Sequence, residues 1–238
     1  RDEEALDICK QNLKTSSSIL SLYHNSYNNL DKILAAEGLS AFNGVLLDLG
    51  LSSLQLGSKN RGFSYRSGGP LDMRYDQSSG SGAGKLINQT DQDSLAQIFK
   101  EYGEERLASR IAKSIKEMTI MNTIADLREA IRRCTPPNHR DRTFARIFQA
   151  LRIAVNQELG ILEQFLTKFI DFLRPGGRIV IISYHSLEDR LVKHSFKKLA
   201  SGGTLDILTK RPITATEKER KKNRRARSAK LRAAVKVT

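Results

Sequence analysis

Two stretches of this chain put chemistry-bearing side chains directly after short apolar runs. In the first, Gly44-Val45-Leu46-Leu47-Asp48-Leu49-Gly50-Leu51-Ser52-Ser53-Leu54-Gln55, branched residues lead into an acid, a glycine, two hydroxyls and an amide. In the second, the run Arg178–Ser183 leads into Tyr184-His185-Ser186-Leu187-Glu188-Asp189-Arg190. Runs of this kind read as buried strands. Ligands of open α/β sheets bind beyond the carboxyl ends of the strands. There Asp48 is an acceptor for a ligand's donors, and Gly50 lets backbone come close. A plain Asp-x-Gly turn fits the first stretch equally well. Ser186 with Asp189 fits a capping box for a helix through Leu199, which leaves Tyr184 and His185 unexplained. His185 has two readings, a hydrogen-bonded structural histidine or a pocket wall.

A third stretch, Arg61 to Asp76, sits in a Gly- and Ser-rich region spanning residues 50–90. It alternates Arg61, Arg66 and Arg74 with Phe63, Tyr65 and Tyr75. Guanidinium groups hold phosphates in pairs of hydrogen bonds, and aromatic faces stack unpaired bases. By composition alone, an ordinary surface loop with glycine turns is the simpler account.

The elements that must position these residues follow from periodicity. Glu3–Leu13 has a helical stripe, Ser18–Tyr23 reads as a strand, and Asn28–Glu37 is a helix closed by Gly38. With the Gly44–Leu49 strand this makes a βαβ unit in a parallel sheet. Helices are expected from Thr90 to Tyr102, from Glu104 to Met118, and from Thr123 to Arg133 before Pro136-Pro137. No strand separates these three, so they read as a helical insertion. A long helical pattern returns at Arg142, with an interruption at Gly160. Pro175-Gly176-Gly177 reads as a turn before the Arg178 strand. Leu205–Thr209 and Leu231–Val237 are the final strands, an antiparallel pair. The division expected is a first α/β part over 1–76, the helical subdomain over 77–141, and a second α/β part with a basic tail over 142–238.

The 238 residues carry a formal net charge of +14. Residues 210–238 hold twelve Lys/Arg and two Glu, a net +10. That points to a polyanionic partner, RNA, DNA or an acidic membrane surface, though charge runs are commonly solvated tails. Cys9 and Cys134 lie far apart without metal-ligand spacing, so neither a disulfide framework nor a zinc site is expected. No apolar run nears the ~20 residues that span a bilayer, and no signal peptide is visible.

Together, LLDLGLSSLQL (46–56), RGFSYRSGGPLDMR (61–74), ISYHSLEDR (182–190) and RARSAKLR (225–232) resemble the RsmH (MraW) family. The segments GEERLASRIA (103–112) and FQALRIAVNQEL (148–159) lie between them, so the resemblance covers nearly the whole chain. It implies a class I, Rossmann-like methyltransferase fold with a helical insertion and S-adenosyl-L-methionine as cofactor. The implied reaction methylates the N4 amine of a cytidine in the decoding region of small-subunit ribosomal RNA. Partners are then that RNA or the assembled small subunit, in the cytoplasm, or in a mitochondrion or plastid of a eukaryote. No metal or membrane is called for. Cofactor contacts carry over to Asp48, Gln55 and Tyr27. The family's first strand, its Gly-Gly-His loop and a second strand ending in an acid have no counterpart here before Arg1-Asp2, so the first strands are expected to be missing. Asp48, Tyr184 and His185 are the expected catalytic wall. Arg66 and Arg74, with Arg224, Arg225 and Arg227 of the tail, are the expected RNA contacts. Two other readings remain, a non-catalytic ribosome-assembly factor and a DNA cytosine-N4 methyltransferase.

Overall fold

A computed structural model describes residues 2–13 and 20–237. In chain order the elements are α1 (Glu3–Asn12), α2 (Leu30–Glu37), β1 (Phe42–Asp48), α3 (Ser53–Gly57), α4 (Ala83–Gln89), α5 (Gln92–Gly103), α6 (Ala108–Lys116), α7 (Ile124–Cys134) and α8 (Arg140–Asn156). Then come α9 (Glu158–Lys168), β2 (Leu173–Ser183), α10 (Ser186–Ser201), β3 (Leu205–Ile207), β4 (Ile213–Thr214), α11 (Glu217–Lys222) and β5 (Lys230–Lys236). The described residues form two compact units, one from 2–13, 20–24 and 51–158, the other from 25–50 and 159–237. The helical unit therefore takes in residues 51–76 and 142–158 as well, and the compact units do not divide at the expected 76/77 and 141/142. The reason is packing: Phe63, Leu71 and Met73 of the glycine-rich region and Phe144, Phe148 and Leu151 of α8 belong to the helical core. Among the described residues no helix is long and apolar enough to cross a membrane.

The helical unit is built on the stripes that its sequence shows. Leu95 and Phe99 of α5, Ile111 and Ile115 of α6, Leu127 and Ile131 of α7 and Ile147 of α8 share one core. Asp91 caps α5 by accepting from Ser94 N at 2.9 Å. Thr123 and Asp126 form the full capping box at α7, a device worth about 1 kcal/mol. A Cβ on Gly103 would lie 2.8 Å from Arg146 O, so α5 crosses α8 at a point only glycine fits. The region 50–90, expected without regular structure, contains α3 and α4. Its anchor is Met73, fully buried in a left-handed conformation at φ 64°.

The second unit is a mixed sheet in the order β1-β2-β5-β3, with β4 on β5. β1 and β2 run parallel; β5 is antiparallel to both β2 and β3. One face packs on Phe165, Phe169, Val192 and Phe196 through Leu47, Ile179, Ile181 and Ala234. Leu47 and Leu49 alternate with the exposed Leu46 and Asp48, as the period of two requires.

Four expectations need correcting. Leu20–Tyr23 is not a strand, and residues 18–19 lie outside the described ones. Leu20 is exposed and has no sheet to join, so the parallel neighbour of β1 is β2. Pro175-Gly176-Gly177 is not a turn before the strand but a bulge within β2. Phe42 pairs with Leu173 and Gly44 with Arg178, so three extra residues loop out on β2. The long helix breaks at Gln157, left-handed at φ 51°, while Gly160 lies inside α9. Glycine tolerated in a helix gave a false stop there, because the real one uses a residue with no local signature. Finally, α6 starts at Ala108 because Glu104 ends α5 in a left-handed conformation.

Candidate functional site

The parallel pairing of β1 and β2 places Asp48 opposite Ile182, and Leu49 N donates to Ile182 O at 3.0 Å. The two strand ends therefore come out side by side. Across them, Tyr184 Oη donates to Asp48 Oδ1 at 2.9 Å. Gly50, at φ 89°, turns the chain away in a conformation that side chains rarely adopt. Burial, then the hydrogen bond to Asp48 and the charges of Asp48 and Glu188, push the Tyr184 phenol up to about 12. It stays protonated and donating at any physiological pH. The Asp48 carboxylate is exposed, and no described residue donates to its Oδ2. That oxygen is an open acceptor at the carboxyl end of the sheet.

The helix after β2 is capped differently from expectation. Its N-cap is His185, not Ser186, and the box partner is Glu188, not Asp189. His185 Nδ1 accepts from Glu188 N at 3.4 Å, and Glu188 Oε2 accepts from Tyr184 N at 2.9 Å and His185 N at 3.4 Å. An accepting Nδ1 assigns the ring proton to Nε2. Nε2 lies 3.2 Å from Glu188 Oε1 but off the line of a hydrogen bond, so that contact is electrostatic. His185 thus caps α10, with a side chain only 7% exposed. Glu188, which sequence reasoning passed over, fixes the backbone that carries Tyr184. Its signal was the three-residue spacing from His185, hidden by the overlapping Ser186–Asp189 pair.

Asp189 faces β5 instead. Arg232 Nε reaches its Oδ1 at 2.7 Å, a second guanidinium nitrogen reaches Oδ2 at 3.3 Å, and Lys230 adds 3.3 Å. Burial raises the Asp189 carboxyl, but the Arg232 hydrogen bonds and charge, with Lys230, outweigh it and hold it below the carboxylate range. Tyr27 stands edge-on to Phe165 with ring centres 5.5 Å apart. Arg224, Arg225 and Arg227 are exposed on a short 3-10 segment over 224–228, anchored by the buried Ala226 and by Asn223, which caps it through Arg225 N. The basic tail is therefore folded, not a loose run.

In the helical unit the expected residues have local work. Gln55 is the box partner of Ser52: its Oε1 accepts from Ser52 N at 3.0 Å, and its Nε2 donates to Asp2 at 2.7 Å. Both amide atoms are engaged and the side chain is buried. Arg74 turns back on Asp72 in a bidentate pair at 2.8 and 3.0 Å and donates to Gln77 O at 3.0 Å. Its guanidinium organises the loop. Arg66 is exposed over the Tyr65 ring at 5.7 Å. The buried arginine is Arg61. It donates at 2.9 Å to Asp2, the cap of α1, and to Tyr75 O at 2.8 Å and Arg74 O at 3.1 Å. Burial raises the Asp2 carboxyl; hydrogen bonds from Arg61 and Gln55 reverse that and lower it. No sequence signal linked Arg61 to Asp2, or Asn156 to Tyr75 N at 2.8 Å.

With this geometry in hand, comparison with known proteins is specific. The profile of the MraW methylase family matches residues 1–237. A protein named ribosomal RNA small subunit methyltransferase H from Kosmotoga olearia is 47% identical over 241 residues, covering 99% of this chain and 80% of the relative. One of the same name from Crocosphaera subtropica is 45% identical over 235 residues, covering 97% of this chain and 72% of the relative. One from Thermotoga neapolitana is 46% identical over 239 residues, covering 98% and 79%. Strand ends that present an open carboxylate, matched over nearly the whole length, place the chain in the MraW methylase family.

Proposed function

We propose that this protein is an S-adenosyl-L-methionine-dependent methyltransferase acting on the N4 amine of a cytidine in small-subunit ribosomal RNA. The observation that carries the reading is the open Oδ2 of Asp48 beside the Tyr184 phenol at the β1 and β2 ends. A carboxylate with one oxygen fixed and one oxygen free fits a ligand that brings N–H or O–H donors, as this cofactor does. Asp48 would hold it, and Tyr27, seated on Phe165, would lend a ring face. The cofactor supplies an electrophilic sulfonium methyl.

The chain's own residues orient and exclude. Tyr184 locks the Asp48 rotamer, and its ring offers a stacking face for a cytosine drawn out of its stack. Held in line, the amine needs acceptors for its hydrogens, because its lone pair is delocalised into the ring. Strand-end carbonyls supply them. Glu188 acts through Tyr184 as a positioning residue and His185 as the helix cap. Arg66 and the arginines Arg224, Arg225 and Arg227 serve RNA phosphates, one set on each unit.

The test is calorimetry of Asp48→Ala with S-adenosyl-L-methionine, together with methyl transfer to small-subunit particles and to duplex DNA. We expect affinity to fall by about 1–3 kcal/mol, the cost of a lost hydrogen bond with its partner unmet, and transfer to the particles alone. Unchanged affinity removes Asp48 from the site. A parent protein without cofactor binding favours an assembly factor, and transfer to DNA favours the other enzyme.

A further inference from the structure

We infer that the cleft between α10 and the β3 edge of the sheet is an RNA subsite, separate from the strand-end site, that seats one nucleotide with its phosphate on Lys193, Lys197 and Lys210. The cleft holds about 380 Å³, within the range of small-ligand sites. Its floor is apolar, from the buried Phe196 and Leu205 with Ile207 and Ala200. Its rim is the three lysines, all exposed. Lys193 and Lys197 stand one turn apart on α10, a like-charge spacing that works against the helix. Among the described residues none of the three has an ion-pair partner. Asp206 also lines the cleft but sits outside ion-pair distance of them. The other cation of the lining, Arg232, is spent on Asp189.

A convergence of uncompensated ammonium groups over an apolar floor is complementary to a nucleotide, phosphate outward and base inward. The cleft is too small for a helix of an acidic protein to enter. It is also far from the chemistry: β3 lies three strand positions from β1, about 14 Å at the usual strand spacing. A nucleotide held there belongs to the RNA flanking the methylated cytidine, so this inference rests on the proposed substrate.

The triple variant Lys193→Gln/Lys197→Gln/Lys210→Gln tests it, against the control Lys32→Gln/Lys85→Gln/Lys100→Gln, which removes equal charge from exposed sites elsewhere. The probe is a single-stranded decoding-region RNA, with binding followed by fluorescence anisotropy over a range of salt. Losing the neutralisation of that one phosphate should flatten the slope of log affinity against log salt by about 0.7. The KM for RNA should rise about tenfold with kcat and cofactor affinity unchanged, and the control should keep the parental slope. A triple variant with the parental slope overturns the subsite, as does a control that flattens equally, since bulk charge then explains the effect. A parent that neither binds this RNA nor methylates small-subunit particles overturns the proposed substrate itself, which separates the two failures.

Discussion

The histidine after β2 gives the sharpest test of a structural against a chemical role. In His185→Ala, α10 loses its N-cap acceptor. That bond is long, 3.4 Å to Glu188 N, so its loss belongs near the lower half of the usual capping cost, about 1 kcal/mol. The imidazole is also buried, and removing it leaves a void beside the equally buried Glu188. That adds about 1 kcal/mol at the low end of large-to-small substitutions. The sum, about 2 kcal/mol, corresponds to a drop of roughly 4–8 °C in Tm for a chain of this size. Asparagine caps as well as any residue, so His185→Asn should regain about half of the loss. Both variants should transfer methyl groups at the parental rate when assayed well below their transitions. Thermal unfolding by circular dichroism and single-turnover methyl transfer are the two measurements. The reasoning is refuted if His185→Asn melts close to the parent yet transfers as slowly as a dead variant with cofactor affinity intact; the imidazole would then be chemical.

Two further outcomes follow from the charges. Asp189→Ala leaves the Arg232 guanidinium buried without its partner and should cost about 3–5 kcal/mol in chemical denaturation, whereas Asp189→Leu with Arg232→Met should recover most of it. Because the Asp189 carboxyl is held below its ordinary range, its contribution is complete above the unfolded value near pH 4 and fades as pH falls through the lower folded value; a single-variant cost under about 1 kcal/mol, or one that fades on the alkaline side, contradicts the pairing. For Tyr184 the sign is opposite. With the folded phenol at about 12 and an unfolded one near 10, the native state binds the extra proton, so this stabilisation is full below pH ~10 and is lost as pH rises toward 12. The difference in phenolate absorbance between the parent and Tyr184→Phe should show one late tyrosine, and a midpoint near 10 would remove the Asp48 hydrogen bond from the account.

What was readable in the sequence was local. The strand ends that bring Asp48 and Tyr184 together, the Gly38 cap and the Thr123–Asp126 box all lie within a few residues of their own signals. What was hidden depended on partners far along the chain. Ser186–Asp189 and His185–Glu188 fit the same box one residue apart, and only Arg232, 43 positions away, decides between them by taking Asp189. Arg74 looked like a phosphate clamp because composition cannot tell whether a guanidinium faces out or turns back on Asp72. Arg61 looked like its equal and is the buried one, because Asp2 reaches it from 59 positions upstream. The glycine-rich region looked loose for the same reason: its few apolar residues, Phe63, Leu71 and Met73, show no period, yet all three are buried.

The place of β5 in the sheet has a consequence for biogenesis. It is the latest strand in sequence among the described residues, yet it lies between β2 and β3 and is the only bridge joining them. During synthesis β3 therefore emerges with nothing to pair with, and Asp189 waits on α10 without its cation. The sheet closes only when residues 230–236 are free to insert, a late step of long sequence separation. Until then the β2 edge, β3 and β4 stay unpaired, and holding them apart from neighbouring chains falls to whatever receives the chain from the ribosome.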